Sequence, residues 1–233
     1  MNNSEIKSDY WLSISDMMAG VLIIFILMFI LKINADYGLH KKYKDLVSTK
    51  EVIVEELKEK FKDYNNIYIL DDGTVRFLLG SGGKINSWFE FGEYTLTDSA
   101  KQDLEKFIPK YLSVLYKPEY KKWIKDIVVE GHTDNQSQFQ DENSNYLFNL
   151  NLSQRRAYSV VEFVLNIDQE ILSDKGINYD YRDKITANGK SYSNLIIENG
   201  EINLEISRRV EFKFNLDWER VYMEFVNDEN TNN

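Results

Sequence analysis

The sequence predicts an α+β chain in three parts: one membrane-spanning helix, a helical connector and a domain built on a mixed sheet. Between Asp9 and Lys32 the chain is apolar and carries a single charged side chain. Beyond residue 65, strand-like and helix-like segments alternate, and Asp72-Gly73 joins two of the strand-like segments in the manner of a hairpin turn. Strands interleaved with helices, with a hairpin included, are typical of an α+β domain. The predicted boundaries are 1–33 for the N-terminus and membrane helix, 34–65 for the connector, 66–218 for the domain and 219–233 for a C-terminal tail.

The composition excludes several classes of function. The chain has 233 residues, with 28 Lys and Arg against 38 Asp and Glu, and a net charge of −10. Since a nucleic-acid binder needs a basic face, we expect no nucleic-acid partner. The absence of cysteine excludes thiol chemistry, and two histidines leave little for a metal centre. The sequence also contains no nucleophile elbow, zinc-binding helix motif or phosphate-binding glycine loop, so we expect no enzyme, no metal and no cofactor.

The N-terminal apolar stretch is long enough to cross a membrane. As a helix, Tyr10 to Leu31 would reach about 33 Å, against a hydrocarbon thickness of about 30 Å. Tyr10 and Trp11 are aromatic residues of the kind that lie at membrane interfaces. Two alternatives remain: a secretory signal peptide cut after Ala35, or a shorter helix that begins after Asp16 as its N-cap.

Asp16 is the charged residue inside this stretch. A carboxylate near the centre of a membrane helix costs up to roughly 2.5–3.5 kcal/mol and normally faces a bundle interior or a water-filled path. Ser13, Ala19 and Gly20 share its helix face, and small residues allow a second helix to approach closely. We therefore favour a membrane helix that contains Asp16 and packs against a partner.

The segment from Tyr10 to Gly20, YWLSISDMMAG, resembles the membrane helix of MotB-type stator subunits. The resemblance implies that Asp16 relays the driving ion, H⁺ or Na⁺, with no other cofactor. It also implies a homodimer of this chain surrounded by five copies of a multi-span MotA/ZorA-like partner. The N-terminus would lie in the cytoplasm and the C-terminal domain in the periplasm, with the helix in the bacterial inner membrane.

The charges that flank the span favour the opposite orientation. The positive-inside rule counts Lys and Arg in the short segments next to the membrane. Four lysines follow the span closely and one precedes it, namely Lys32, Lys41, Lys42 and Lys44 against Lys7. We follow the orientation that the resemblance to stator subunits implies.

The connector carries a short heptad pattern. Its apolar residues recur at spacings near three and four: Leu39, Tyr43, Leu46, Ile53 and Leu57. Such a pattern favours a parallel helical dimer just outside the membrane. The alternative is a single amphipathic helix that packs on the following domain.

Residues 66–218 contain regular helix and strand signals. We expect Pro109 to kink or split the first helix, and Ser153 to act as the N-cap of the second. In chain order, we expect a hairpin around 72–73, a helix over 97–115 capped by Thr97, a strand over 124–130, a polar loop over 135–148, a helix over 153–166 and a half-buried strand over 210–216.

Several motifs of this region resemble, in order, the OmpA-like peptidoglycan-binding domain. They are Phe89-x-Phe-Gly, Gly131-His-Thr-Asp, Asn149-x-x-Leu-Ser-x-x-Arg-Ala, Gly189-Lys190 and Arg208-Arg209-Val-Glu. The resemblance implies that Asp134 and Arg156 grip the diaminopimelate of the wall peptide, and that Thr133, Asn149 and Arg209 flank or support the pocket. The run from Asn135 to Phe148 is longer than is common in the family, and it could cover the pocket or bind another group.

Together, the two resemblances imply an ion-driven stator subunit that anchors a membrane channel to peptidoglycan. Among such proteins, the short acidic N-terminus and the segment Ser15 to Gly20 most resemble ZorB of the Zorya antiphage defence system. A flagellar MotB-type subunit and a passive wall-tethering protein without ion flux are the alternatives.

Overall fold

The computed structural model describes residues 3–78, 88–90, 92–136, 139–167, 172, 179–220 and 222–223. The chain divides into two compact units. One unit combines Met1–Asp45 with Trp218–Asn233, and the other is Leu46–Asp217. The division after Asp45 lies inside the predicted connector.

The first helix, α1, runs without a break from Asn3 to Phe61. Asp16 is therefore an interior residue of a helix, and the alternative in which it is an N-cap is wrong. The segment Ile14–Phe61 contains a stretch that is long and apolar enough to cross a membrane. Its large apolar side chains are exposed from Met17 to Leu31, with Phe25 70% exposed. A helix that is apolar all round and exposed fits a lipid environment.

The last turns of α1, from Leu46 onwards, belong to the second unit and pack within it. Leu46, Ile53 and Leu57, which the heptad pattern assigned to a dimer seam, are each at most 2% exposed. The ring of Phe61 lies 5.0 Å from that of Phe107. The dimer seam is therefore wrong for residues 46–61, because its apolar face is buried within one chain. In the other unit, Tyr43 stacks on Trp218 with ring centroids 4.9 Å apart.

A five-stranded mixed sheet forms the centre of the second unit, which confirms the predicted α+β class. Its strands, in the order β1-β2-β7-β3-β4, are antiparallel except for the parallel pair β3–β4. These strands are β1 (Ile67–Ile69), β2 (Val75–Leu78), β3 (Ile124–His132), β4 (Ile185–Gly189) and β7 (Arg209–Leu216), and a separate small hairpin consists of β5 (Ile197–Glu198) and β6 (Glu201–Ile202).

The predicted hairpin at Asp72-Gly73 joins β1 to β2. Gly73 adopts φ +84°, a conformation that side chains rarely allow. The Oδ1 atom of Asp72 accepts a hydrogen bond from the Thr74 amide at 2.9 Å. The apolar face predicted for the last strand is also confirmed, since Val210, Phe212, Phe214 and Leu216 are buried in β7. The strand is not half-buried along its whole length, because Arg209 and Glu211 on the opposite face are each 3% exposed.

The second helix, α2, extends from Asp98 to Leu115 as one element. Thr97 caps it as predicted, with Oγ1 accepting a hydrogen bond from the Ala100 amide at 3.2 Å. The prediction that Pro109 would split this helix is wrong. Pro109 is buried in α2 with Phe107 and Ile108, and we attribute the continuity of the helix to this apolar packing, which outweighs one missing backbone hydrogen bond.

The third helix, α3, begins at Glu142 and ends at Leu165. Its N-cap is Asp141, whose Oδ2 accepts a hydrogen bond from the Ser144 amide at 2.8 Å. The predicted start at Ser153 is therefore wrong, and the part of the predicted loop after Asp141 is helical. The remaining elements are α4 (Leu204–Ser207) and the short 3₁₀ helices Lys121–Trp123 and Tyr179–Lys184.

Two glycines allow α3 to approach the sheet closely. Gly131 of β3 pairs in register with Gly189 of β4. A Cβ atom on Gly131 would lie 2.2 Å from the carbonyl oxygen of Ser153, and one on Gly189 would lie 2.6 Å from the backbone nitrogen of Gln154. The backbone of α3 therefore rests directly on both strands, next to the ends of the strands from which the candidate site is built.

Candidate functional site

Asp134 and Arg156, the central pair of the predicted pocket, lie close together. Asp134 follows the end of β3 and Arg156 lies in the middle of α3. Each residue is only 7% exposed. The pKa of Arg156 is lowered to about 10, chiefly by burial and in part by the Arg208 guanidinium, while the Asp134 carboxylate opposes this decrease. Three charged side chains, two cationic and one anionic, thus share one site.

Arg156 is held by the segment that precedes α2. Its Nε donates to the carbonyl oxygen of Glu93 at 2.8 Å, and its Nη2 donates to that of Glu90 at 3.4 Å. The guanidinium group lies over the ring of Phe89, 5.0 Å from its centroid. The Phe89-x-Phe-Gly motif therefore supplies the wall against which Arg156 is oriented, although Phe91 lies outside the described residues.

The Asp134 carboxylate already accepts two hydrogen bonds. Its Oδ2 accepts from Nη1 of Arg208 at 2.5 Å, and its Oδ1 accepts from the Gln136 amide at 3.0 Å. Arg208 belongs to the motif Arg208-Arg209-Val-Glu. The family resemblance assigned Arg209, and not Arg208, to flank or support the pocket. Because α4 ends at Ser207 and β7 begins at Arg209, Arg208 lies outside the strand pattern, and its direction could not be read from alternation.

Thr133 and Asn149 have backbone contacts that support the site. The Thr133 amide donates to the carbonyl oxygen of Ser191 at 3.0 Å. The buried Oγ1 of Thr133 has no hydrogen-bond partner among the residues that the structure describes. Asn149 is buried, and its Nδ2 donates to the carbonyl oxygen of Asn145 at 3.0 Å. Thr133 therefore anchors the turn before Asp134, and Asn149 stabilises α3.

Arg209 belongs to a different cluster. Its Nε donates to Glu211 at 2.6 Å, and its Nη1 donates to the carbonyl oxygen of Ser207 at 3.1 Å. Within the described part of the chain it makes no hydrogen bond to Asp134 or Arg156. Arg209 therefore supports the fold beside the pocket and does not line it with the predicted pair.

This second cluster is a buried ionic network on one face of the sheet. Glu130 accepts from Lys213 at 2.6 Å and lies 3.0 Å from Lys190, while Glu211 also accepts from Arg76 at 2.9 Å. His132 is 1% exposed and lies between the two carboxylates, with Nε2 3.7 Å from Glu130 and 3.5 Å from Glu211.

The network has the donor set of a metal site but the wrong charge. Ligand atoms of Glu130, His132 and Glu211 lie within 4.8 Å of one another. However, the two carboxylates already face four cationic side chains, from Arg76, Lys190, Arg209 and Lys213. A divalent cation would add to this excess of positive charge. We therefore assign the network to fold stability.

Acid is expected to weaken the fold through Glu130. Burial raises the pKa of Glu130, but His132, Lys213 and Lys190 outweigh burial and lower the pKa to about 2, below the ordinary 4.5. The stabilisation is therefore complete above pH 4.5 and is lost as the pH falls from 4.5 towards 2, by an amount on the order of 3 kcal/mol. Guanidinium unfolding of the full chain in detergent, repeated between pH 7 and pH 2, measures this loss.

Glu130→Gln is the control for that titration, since it removes the titrating group and keeps the side-chain shape. We expect the unfolding free energy of the variant to fall less steeply between pH 4.5 and pH 2 than that of the parent. Equal slopes for the two proteins would contradict the assigned role of Glu130.

Comparison with known proteins agrees with this architecture. The OmpA family model matches residues 88–203. Two proteins described as Zorya protein ZorB are similar to the chain. One, from Escherichia coli O139:H28, is 24% identical over 91% of this chain and 82% of its own length. The other, from Escherichia coli strain Crooks, is 28% identical over 88% of this chain and 87% of its own length.

Two solved structures resemble the chain more remotely. The cell wall anchor of the Pseudomonas aeruginosa T6SS is 20% identical, with 72% of this chain and 99% of that chain covered and a TM-score of 0.44. The periplasmic domain of Helicobacter pylori MotB is 19% identical, with 70% and 90% covered and a TM-score of 0.40. The family match to residues 88–203 and the two relatives that span most of the chain lead to one conclusion: the chain contains an OmpA-like domain, and over most of its length it is similar to ZorB proteins.

Proposed function

We propose that this chain is the wall-anchoring subunit of an ion-driven stator in the bacterial inner membrane. Residues of the OmpA-like domain would bind peptidoglycan in the periplasm, and α1 would cross the membrane once with its N-terminus in the cytoplasm. The observation that carries the anchoring role is the buried pair of Asp134 and Arg156 within a domain that matches the OmpA family.

The chemistry of the pocket suits a wall peptide. A peptidoglycan stem peptide presents carboxylates and an ammonium group within a few bonds of one another. Arg156 has a planar fork that can bond a carboxylate bidentately, and its orientation is fixed by Glu90, Glu93 and Phe89. A site whose cation is already oriented loses little side-chain entropy when the ligand binds.

We assign the relay of the driving ion to Asp16. This residue lies in the interior of α1, is exposed in the single chain, and has no ionic partner among the side chains that the structure describes. An uncompensated carboxylate in a membrane helix normally faces a protein interior or an ion path. In this proposal a multi-span MotA/ZorA-like protein, five copies around a dimer of this chain, supplies the rest of that path for H⁺ or Na⁺.

Antiphage defence is the role that the relatives favour. Both similar proteins are described as Zorya proteins, and each is matched over most of its length. In this role, ion flow through the membrane complex would drive its partner against the fixed wall anchor. A flagellar stator would have the same physical layout.

Arg156→Ala tests the anchoring role. Because the guanidinium group would make charged hydrogen bonds to the ligand, we expect binding to peptidoglycan to weaken by roughly 10- to 100-fold. The measurement is co-sedimentation of the detergent-solubilised full chain with purified peptidoglycan over a range of wall concentrations.

Arg155→Ala is the matched control, since Arg155 is the neighbouring arginine and stacks on Tyr94 at 4.8 Å. Circular dichroism of both variants monitors folding, because Arg156 also holds backbone carbonyls. If a folded Arg156→Ala protein sediments as well as the parent, the wall does not bind at this site.

A further inference from the structure

We propose that the pocket recognises its wall ligand through carboxylate groups, and that Arg208 imposes this selectivity. The inference rests on the proposed wall-binding function and adds the chemical group that the site selects. It assigns a specificity role to a residue that lies beside the predicted pair.

The Asp134 carboxylate has little hydrogen-bonding capacity left for a ligand. Arg208 occupies Oδ2 at 2.5 Å and the Gln136 amide occupies Oδ1 at 3.0 Å. The Asp134 side chain is only 10% exposed, so little of the carboxylate remains accessible. A ligand ammonium would have to displace the Arg208 guanidinium from a charge-assisted hydrogen bond before it could bind Asp134 with full strength.

Arg156 and Arg208 both retain hydrogen-bond donors that could bind a ligand. Arg156 uses Nε and Nη2 for carbonyl oxygens, and within the described residues its Nη1 makes no hydrogen bond. Arg208 uses Nη1 for Asp134, and its side chain is 37% exposed. Among the described residues, the unused charged donors of the pocket therefore belong to two guanidinium groups.

The charges point to the same ligand group. Two guanidinium groups and one carboxylate leave the pocket with a net positive charge, although the chain as a whole carries −10. Arg208 is close enough to Arg156 to lower its pKa, so the two cations repel each other when the pocket is empty. A ligand carboxylate between them relieves this repulsion and accepts from both forks.

We therefore expect the carboxylates of the ligand to contribute more to binding than its amine. Pimelate has two carboxylates and no amine, cadaverine has two amines and no carboxylate, and diaminopimelate has both groups. As competitors for co-sedimentation of the full chain with purified peptidoglycan, they separate the two kinds of recognition without any change in the protein. We expect pimelate to compete within roughly threefold of diaminopimelate, and cadaverine not to compete.

Arg208→Gln changes the selectivity in a defined direction. The substitution removes one cation and frees Asp134, so we expect competition by pimelate to weaken about tenfold and competition by cadaverine to appear. Arg155→Gln removes the same charge from a neighbouring residue that lies on Tyr94, and we expect the parental order of competitors.

The outcomes are distinguishable. If the parent chain does not sediment with peptidoglycan, the proposed wall-binding function fails and the inference fails with it. If the parent sediments but cadaverine competes and pimelate does not, wall binding stands and carboxylate selection is overturned. An unchanged order of competitors in folded Arg208→Gln overturns the role of Arg208 alone.

Discussion

Asp16→Asn is expected to abolish ion flux while leaving membrane assembly and wall binding intact. An amide neither binds nor releases a proton and has no charge to attract Na⁺. Each elementary charge that crosses the membrane carries about 2.3 kcal/mol per 100 mV, and without a relay this energy cannot enter the complex. The measurement is voltage-driven ion flux into vesicles that contain this chain together with its multi-span partner.

Two controls make the Asp16 result specific. Asp16→Glu keeps the carboxylate on a longer side chain, so we expect it to retain measurable flux. Co-purification with the partner and co-sedimentation with peptidoglycan should be the same for Asp16→Asn and the parent, because Asp16 lies in α1 at a distance along the chain from the residues of the pocket. Parental flux from Asp16→Asn would remove the ion-relay role and leave a passive wall tether.

Local signals in the sequence were sufficient where backbone chemistry decides the structure. The Asp72-Gly73 turn, the Thr97 cap and the apolar face of β7 were predicted correctly. Each depends on residues that are close in sequence: a glycine at positive φ, a hydroxyl that binds a nearby amide, or side chains that alternate between two faces.

The start of α3 was missed because its first turns bury polar residues. Asn145 and Asn149 are both 5% exposed, one helical turn apart. In the sequence they belong to a polar run that is typical of a loop. The signal that could have found the helix is Asp141 with Glu142 in the first turn, an N-cap followed by an acidic residue. The earlier start places Arg156 in the middle of the helix, whereas a start at Ser153 would place it in the first turn.

The sequence pointed to Asp134 and Arg156 at the centre of the candidate site, but it did not show which arginine forms an ion pair with Asp134. Asp134 and Arg156 come together because β3 and α3 pack closely, and the motif order pointed to both residues, whose binding role stays a prediction. Which of two adjacent arginines reaches Asp134 depends on where β7 begins, and this boundary is a tertiary feature. Arg209 enters the strand and pairs with Glu211, whereas Arg208 precedes it and pairs with Asp134.

The seam prediction for the connector failed for a related reason. An apolar stripe at heptad spacing shows that one face of a helix is buried, but the stripe does not identify the surface that buries it. Here Glu56 accepts hydrogen bonds from Lys117 at 2.7 Å and from Tyr120 at 2.9 Å, so polar contacts also hold the end of α1 on the domain. Dimer contacts, if the proposed stator forms, must use other residues than Leu46, Ile53 and Leu57.

Gly131→Ala is expected to destabilise the domain by about 3 kcal/mol, at the upper end of the usual range for overpacking. The new methyl group would lie 2.2 Å from the carbonyl oxygen of Ser153, which is backbone and cannot rotate away. To make room, α3 must move from β3, and this movement separates Arg156 from Asp134. The unfolding free energy of the full chain in detergent measures the first effect, and co-sedimentation with peptidoglycan measures the second.

Gly200→Ala separates steric contact from the general effect of replacing a glycine. Gly200 has φ +86°, and a Cβ atom on it would meet no other atom within 4 Å, so its substitution costs only the left-handed conformation, roughly 1–2 kcal/mol. Because Gly200 lies in the turn between β5 and β6, we expect parental wall binding from this variant. If Gly131→Ala is as stable as the parent and binds peptidoglycan equally well, the close contact between β3 and α3 does not determine the geometry of the pocket.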